Sequence, residues 1–302
     1  MRLLCAFFLL SLFACGSDDS EEPQSQNNFT VTTLAGPFNG SGGATVDKAG
    51  NIYVADFGNN LNRADGTTVT KVTPSGEVST FADGLNGASG NAFDSQGNLF
   101  QANIAGNTLS KIAPDGTVST FATSNLRSPV GVAIDPEDNI YVCNCGGASI
   151  ARFSPNGNGG TFISNAELSC PNGIAIDDSG NLYPVNFNNG KVFKITPNGV
   201  LSEFAVVPGT GNAHITFVNG KLYVVSRGAA MIYELTLDGT LTHIAGTGEV
   251  GNEDGPALEA TFFIPNGITH SPDGSKLYVI SRVLNQGSPL NPVLVRVINL
   301  TP

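Results

Sequence analysis

One phrase is written into this chain six times, and it limits the fold more than any other feature. "DKAGNIYV" (Asp47–Val54), "DSQGNLFQ" (Asp94–Gln101), "DPEDNIYV" (Asp135–Val142) and "DDSGNLYP" (Asp177–Pro184) are clear copies. "VNGKLYVV" (Val218–Val225) and "PDGSKLYVI" (Pro272–Ile280) are degenerate ones. In the clear copies Asp at the first position and, in most, Gly at the fourth suit a type I turn, because Asp bonds its own backbone and Gly tolerates positive φ. The apolar residues on both sides have the character of strands buried on both faces. Recurrence at intervals of about 40–55 residues marks a repeat architecture.

Each copy is followed by a third strand ending in a second turn: "KVTPSG" at Lys71, "KIAPDG" at Lys111, "RFSPNG" at Arg152, "KITPNG" at Lys194 and "ELTLDG" at Glu234. A fourth strand follows the turn, as in "VSTFA" at Val78 and Val118. After the sixth third strand, "RVINL" (Arg296–Leu300), no such segment follows. Yet "FTVTTLAG" (Phe29–Gly36), ahead of the first copy, matches "TLTHIAG" (Thr240–Gly246). The expectation is an all-β six-bladed β-propeller over residues 29–302, with the N-terminal strand closing the last blade and removing free sheet edges.

These segments also carry a family resemblance. "IAGTGEVGNEDGPALEATFFIPNGITHSPDGSKLYVIS" (Ile244–Ser281) resembles an NHL repeat, and the "PNGIAIDDSGNLY" copies resemble the gluconolactonase/senescence-marker group of six-bladed propellers. The resemblance spans Phe29 to the C-terminus and speaks to fold far more than to activity, because propellers host unrelated functions.

The N-terminus has a different texture. Arg2 precedes the apolar run Leu3–Ala14, the layout of a secretory signal and too short for the roughly 20 residues of a spanning helix. Leu12-Phe13-Ala14-Cys15 resembles a bacterial lipobox, which implies lipid on Cys15 and membrane attachment through it. Residues 1–14 are therefore expected to be a signal peptide. Residues 15–28, acidic and polar after Cys15, have the composition of a disordered tether. The acidic run resembles the export signal of surface lipoproteins in Bacteroidetes. The expected location is the bacterial cell envelope, lipid-anchored at the outer membrane, including its outer surface. The chain has 14 Lys+Arg against 25 Asp+Glu, a net charge of −11, and no basic cluster. Nucleic acid is excluded as a partner on that ground, and a monomer is expected.

Both kinds of turn lie on one rim and are short. The other rim carries the long connections Phe57–Thr68, Gly246–Pro265 and Arg282–Pro292. Irregular loops on a regular scaffold are the usual seat of binding. Asn172, Asn212 and Asn266 head the inner strands of their blades on that rim. Two readings are open: in lactonase- and paraoxonase-like propellers Asn at this position coordinates a central divalent cation such as Ca²⁺, whereas Asn also caps turns. The Glu and Asp that complete the family's metal set have no counterpart here. Asp56, at the end of a second strand, is either a replacement metal or catalytic carboxylate or a partner for loop amides. His214, aligned with Ile174, is either a general base near the axis or a core histidine. No Ser–His–Asp or Cys–His set and no phosphate loop is apparent. Cys145 ends one second strand and Cys170 starts the next blade on the same rim, so a bridge between them is expected in an exported protein.

Two functions follow as expectations. One is a lipoprotein propeller that binds a small molecule, glycan or protein on its loop-rich rim. The other is a calcium-dependent lactone or ester hydrolase of the gluconolactonase kind, with the cation polarising a carbonyl.

Overall fold

The computed structural model describes residues 28–287 and 289–300. The expected signal segment 1–14, Cys15 and the tether up to residue 27 lie outside the described residues.

Each repeat folds because its turns are chemically specified. In the first blade the Gly50 amide donates to the Asp47 carbonyl at 3.0 Å, the type I turn expected of this spacing. Asp47 Oδ1 accepts the Ala49 and Asn51 amides, and Oδ2 accepts Asn51 Nδ2 and the Tyr53 hydroxyl. Gly50 has φ +84°, a conformation that costs glycine little. Asp177, Asn181 and Tyr183 repeat the same network in blade four. The third-strand cations, Lys71, Arg152 and Lys194 among them, lie over the second-strand rings of Tyr53, Tyr141 and Tyr183.

Six antiparallel sheets result, and the first five are built in chain order from the axis outward. Blade one, for example, is Ala44–Val46, Ile52–Ala55, Val69–Val72 and Val78–Ala82. Ile52–Ala55 is buried at all four positions, as a strand with a sheet on either side must be. The buried residues fall into six clusters, one at each seam between neighbouring blades. Tyr53, Leu99 and Ile112 pack blade one on blade two, and Tyr278, Ile280 and Ile52 join blade six to blade one. The core is therefore a ring of sheet-to-sheet contacts around the propeller axis.

The N-terminal strand closes that ring. Thr30–Phe38 runs antiparallel to Val293–Asn299, from Thr30 opposite Asn299 to Phe38 opposite Val293. The last blade also has a fifth strand that the repeat does not announce. Gly255–Pro256 pairs outside Val31 and Thr30, and two residues of that composition carry no strand signature.

Candidate functional site

The inner strands meet so closely at the axis that side chains are almost excluded. Their register aligns Gly43, Gly90, Gly131, Gly173, His214 and Gly267 at one level of the six inner strands. A Cβ on Gly131 would lie 2.1 Å from the Asn172 carbonyl oxygen, and one on Gly173 would lie 2.6 Å from the His214 Cα. Backbone thus fills the ring on five sides. The sixth blade to be counted, blade five, contributes the one side chain. The His214 ring reaches across the axis until its Cε1 is 2.8 Å from where a Gly43 Cβ would stand. His214 is 8% exposed, and burial pushes its pKa down to about 4, so the ring is neutral at neutral pH. Among the described residues no hydrogen bond to the ring is found.

This register corrects the alignment of His214 with Ile174. Ile215 takes that place, opposite Val224 as Ile174 is opposite Pro184. The cause is the turn at Asn219 and Gly220, both at positive φ, which is one residue shorter than the Asp177–Asn181 turn. Counting back from it lands one residue early, and one residue inverts the facing of a side chain.

The same slip separates the three asparagines. Asn172 and Asn266 line a cavity above the histidine, whereas Asn212 is fully buried within its blade and donates to the Val207 carbonyl at 3.0 Å. Ala213 occupies the position equivalent to Asn172. The Asn266 amide donates to the carbonyls of Ser41 and Gly42, a backbone-capping role. Asp56 does not line the cavity: its Oδ1 accepts the Gly58 amide at 3.0 Å and Asn291 Nδ2 at 2.9 Å, joining the loops of blades one and six. Calcium requires six to eight oxygens, with carboxylates for useful affinity. Two carboxamides and an engaged Asp56 supply too few oxygens for it. Among the described residues no three His, Cys, Asp or Glu side chains cluster as metal ligands.

The cavity itself is on the loop-rich rim and holds about 190 Å³. His214 forms its floor, and a second, more polar cavity on the short-turn rim meets the other side of the same residue. The upper wall is built by a position that sequence reasoning passed over. Phe57, Ile104, Cys145, Phe187 and Arg227 each directly follow the polar residue ending a second strand, and all five line the cavity. The polar residues face sideways instead and satisfy loop backbone: Asn144 accepts the Arg127 amide and Ser281 accepts the Phe263 amide. Strand alternation then aims the next residue at the axis. The detectable signal was an apolar or bulky residue one step after each Asn, Asp or Ser. Leu61, Ile264 and Leu290 from the long loops complete the wall. Cys145 and Cys170 are joined as a disulfide within it.

Residues 61–283 match the virginiamycin B lyase family. Solved structures share the fold at low identity. Virginiamycin B lyase from Staphylococcus aureus is 17% identical, with 90% of this chain and 99% of that one aligned at a TM-score of 0.62. A gluconolactonase from Xanthomonas campestris is 16% identical over 89% of each chain, TM-score 0.67. An auxiliary nutrient binding protein from Bacteroides thetaiotaomicron is 16% identical over 91% of this chain and 77% of its own, TM-score 0.74. A search of curated proteins finds no match. With the repeat, the closed ring and a family match across most of its length, the chain belongs to the virginiamycin B lyase family.

Proposed function

We propose that this propeller binds a small, mainly apolar molecule in the axial cavity of its loop-rich rim. The observation that carries the reading is the cavity's lining: Phe57, Leu61, Ile104, Phe187, Ile264 and Leu290 surround a floor of Asn172, Asn266 and neutral His214. An apolar wall with a few convergent polar groups is the usual build of a ligand site. At about 190 Å³ it is smaller than the roughly 300–1,000 Å³ of drug-sized pockets. It therefore suits a single-ring molecule better than a glycan chain or a protein segment. Its likeness to an auxiliary nutrient binding protein supports binding as the task.

A hydrolase reading draws less support. The metal set does not fit, and a histidine held at about 4 is a weak base at neutral pH, far from the matched pKa that general-base catalysis favours. The ring also lacks an orienting carboxylate among the described residues.

The experiment is a titration of isoleucine-methyl-labelled protein with phenylacetamide, read by NMR. The Ile104 and Ile264 methyls shift, while Ile52, buried in a blade seam, does not. Shifts confined to Ile134 and Ile176 on the other rim, or none, would contradict the assignment.

The cellular setting is part of the same proposal: lipid on Cys15 holds the propeller at the bacterial cell envelope. A Cys15→Ser protein should leave the membrane fraction, and one that stays there would rule the anchor out.

A further inference from the structure

The cavity wall contains one cation. Arg227 follows the second strand of blade five, and its side chain lines both the axial cavity and the adjoining groove beside Thr210 and Gly211. Its guanidinium lies 5.9 Å from the centre of the Phe187 ring. The Gly211 backbone packs against the same ring and against the Arg227 stem: a Cβ there would be 3.4 Å from Phe187 Cζ and 3.8 Å from Arg227 Cδ. The stem is thus held between a glycine turn and an aromatic face, which aims the head group.

No acidic side chain lines either cavity. Among the described residues Arg227 makes no ion pair, whereas Lys191, Lys221 and Arg296 each do. In a chain of net charge −11 an unpaired arginine against an apolar pocket is costly to keep without a use. Burial draws its pKa below the ordinary guanidinium value. A planar guanidinium matches a carboxylate in two parallel hydrogen bonds, the geometry for which arginine is suited above lysine.

We propose that the ligand is an organic acid, with its apolar body among Phe57, Ile104 and Ile264 and its carboxylate on Arg227. This rests on the ligand-binding reading above and adds the chemical class. Neutral isosteres enter the same pocket but forgo the ion pair. Phosphorylated and multiply charged ligands are disfavoured by the single cation and by the chain's net charge of −11.

The test compares phenylacetate with its uncharged isostere phenylacetamide by the same methyl NMR titration, in the parent and in Arg227→Gln. In the parent, phenylacetate binds about tenfold more tightly than the amide, the size expected of one charge-assisted hydrogen-bonded pair. In Arg227→Gln that advantage disappears while amide affinity stays within twofold. Arg227→Lys keeps part of the preference, since charge remains and the paired geometry is lost. Equal binding of acid and amide by the parent, or an undiminished acid preference in Arg227→Gln, overturns the assignment of the acid. Failure of both probes to shift Ile104 and Ile264 in the parent overturns the pocket itself. The Arg227→Gln melting temperature checks folding.

Discussion

Arg296 Nη2 donates to Asp254 Oδ1 at 2.7 Å, and the Asp254 carboxylate also receives the Thr33 amide and hydroxyl. Three distant segments are tied by this contact: the third strand of blade six, the connection after Gly246, and the N-terminal closing strand. Arg296 is fully buried and further donates to the Thr261 and Glu253 carbonyls, while Asp254 is partly exposed.

Replacing the arginine leaves two carbonyls and a carboxylate without their donor, in a void. Arg296→Ala should cost about 3–5 kcal/mol, as truncation of a large, fully buried side chain that satisfies buried carbonyls does. Asp254→Ala, at a solvent-facing carboxylate, should cost on the order of 1 kcal/mol. Urea denaturation midpoints read both, and equal losses would mean that the arginine acts only through Asp254.

The glycine ring is a packing constraint. Gly131→Ala forces a methyl to 2.1 Å from the Asn172 carbonyl, where only backbone can give way. A loss of about 3 kcal/mol or more is expected, at or above the upper range of overpacking. Gly160→Ala has open space around its added carbon and should change stability by no more than about 0.5 kcal/mol. Similar values for the two would show that the axis is looser than its geometry.

His214 gives stability a definite pH dependence. Its pKa falls from 6.5 to about 4 on folding, so between those values the unfolded chain binds a proton that the folded one refuses. The contribution is complete above pH 6.5, falls as pH drops through this window, and is gone below about 4. Its size is about 3 kcal/mol at 1.36 kcal/mol per pKa unit. Asp47 and Asp177 act elsewhere. Burial raises their pKa values, hydrogen bonds from Asn51 and Asn181 more than reverse it, and their stabilisation is lost only below the ordinary value of 3.8. His214→Gln should remove the fall between pH 6.5 and 4 in denaturation free energy, and an unchanged profile would contradict its burial.

Calcium offers a separate check on the asparagines. Melting curves in EDTA and in millimolar calcium should coincide for the parent, because Asn212 faces away from Asn172 and Asn266. A calcium-dependent rise that Asn172→Ala abolishes would reinstate a central ion.

The blades were legible because their chemistry is local. Asp47 to Tyr53 is one turn with its own hydrogen bonds, repeated wherever Asp, Gly and Asn recur at that spacing. Closure was legible too, since Phe29–Gly36 is a fourth strand displaced to the front of the chain. Blade five was misread at a single position. Its Asn219–Gly220 turn is short, and a strand's facing depends on parity, so Asn212 and His214 each stand one position earlier in their strand than the repeat spacing implies. The wall was missed for another reason. Phe57, Ile104, Phe187 and Arg227 share a position but not a residue type, and the polar neighbours that do share one are bonded to loop backbone. Gly255–Pro256 pairs from a connection that Arg296 and Asp254 tie to the blade, a tertiary contact with no local trace.

The most direct measurement is a crystal structure of the protein soaked with phenylacetate. Density is expected in the loop-rim cavity, with the ring between Phe57, Ile104 and Ile264, the carboxylate within hydrogen-bond distance of Arg227, and His214 closing the floor beneath it. Phenylacetate found instead in the polar cavity on the short-turn rim, or nowhere in the axial channel at concentrations that saturate the NMR titration, would contradict it.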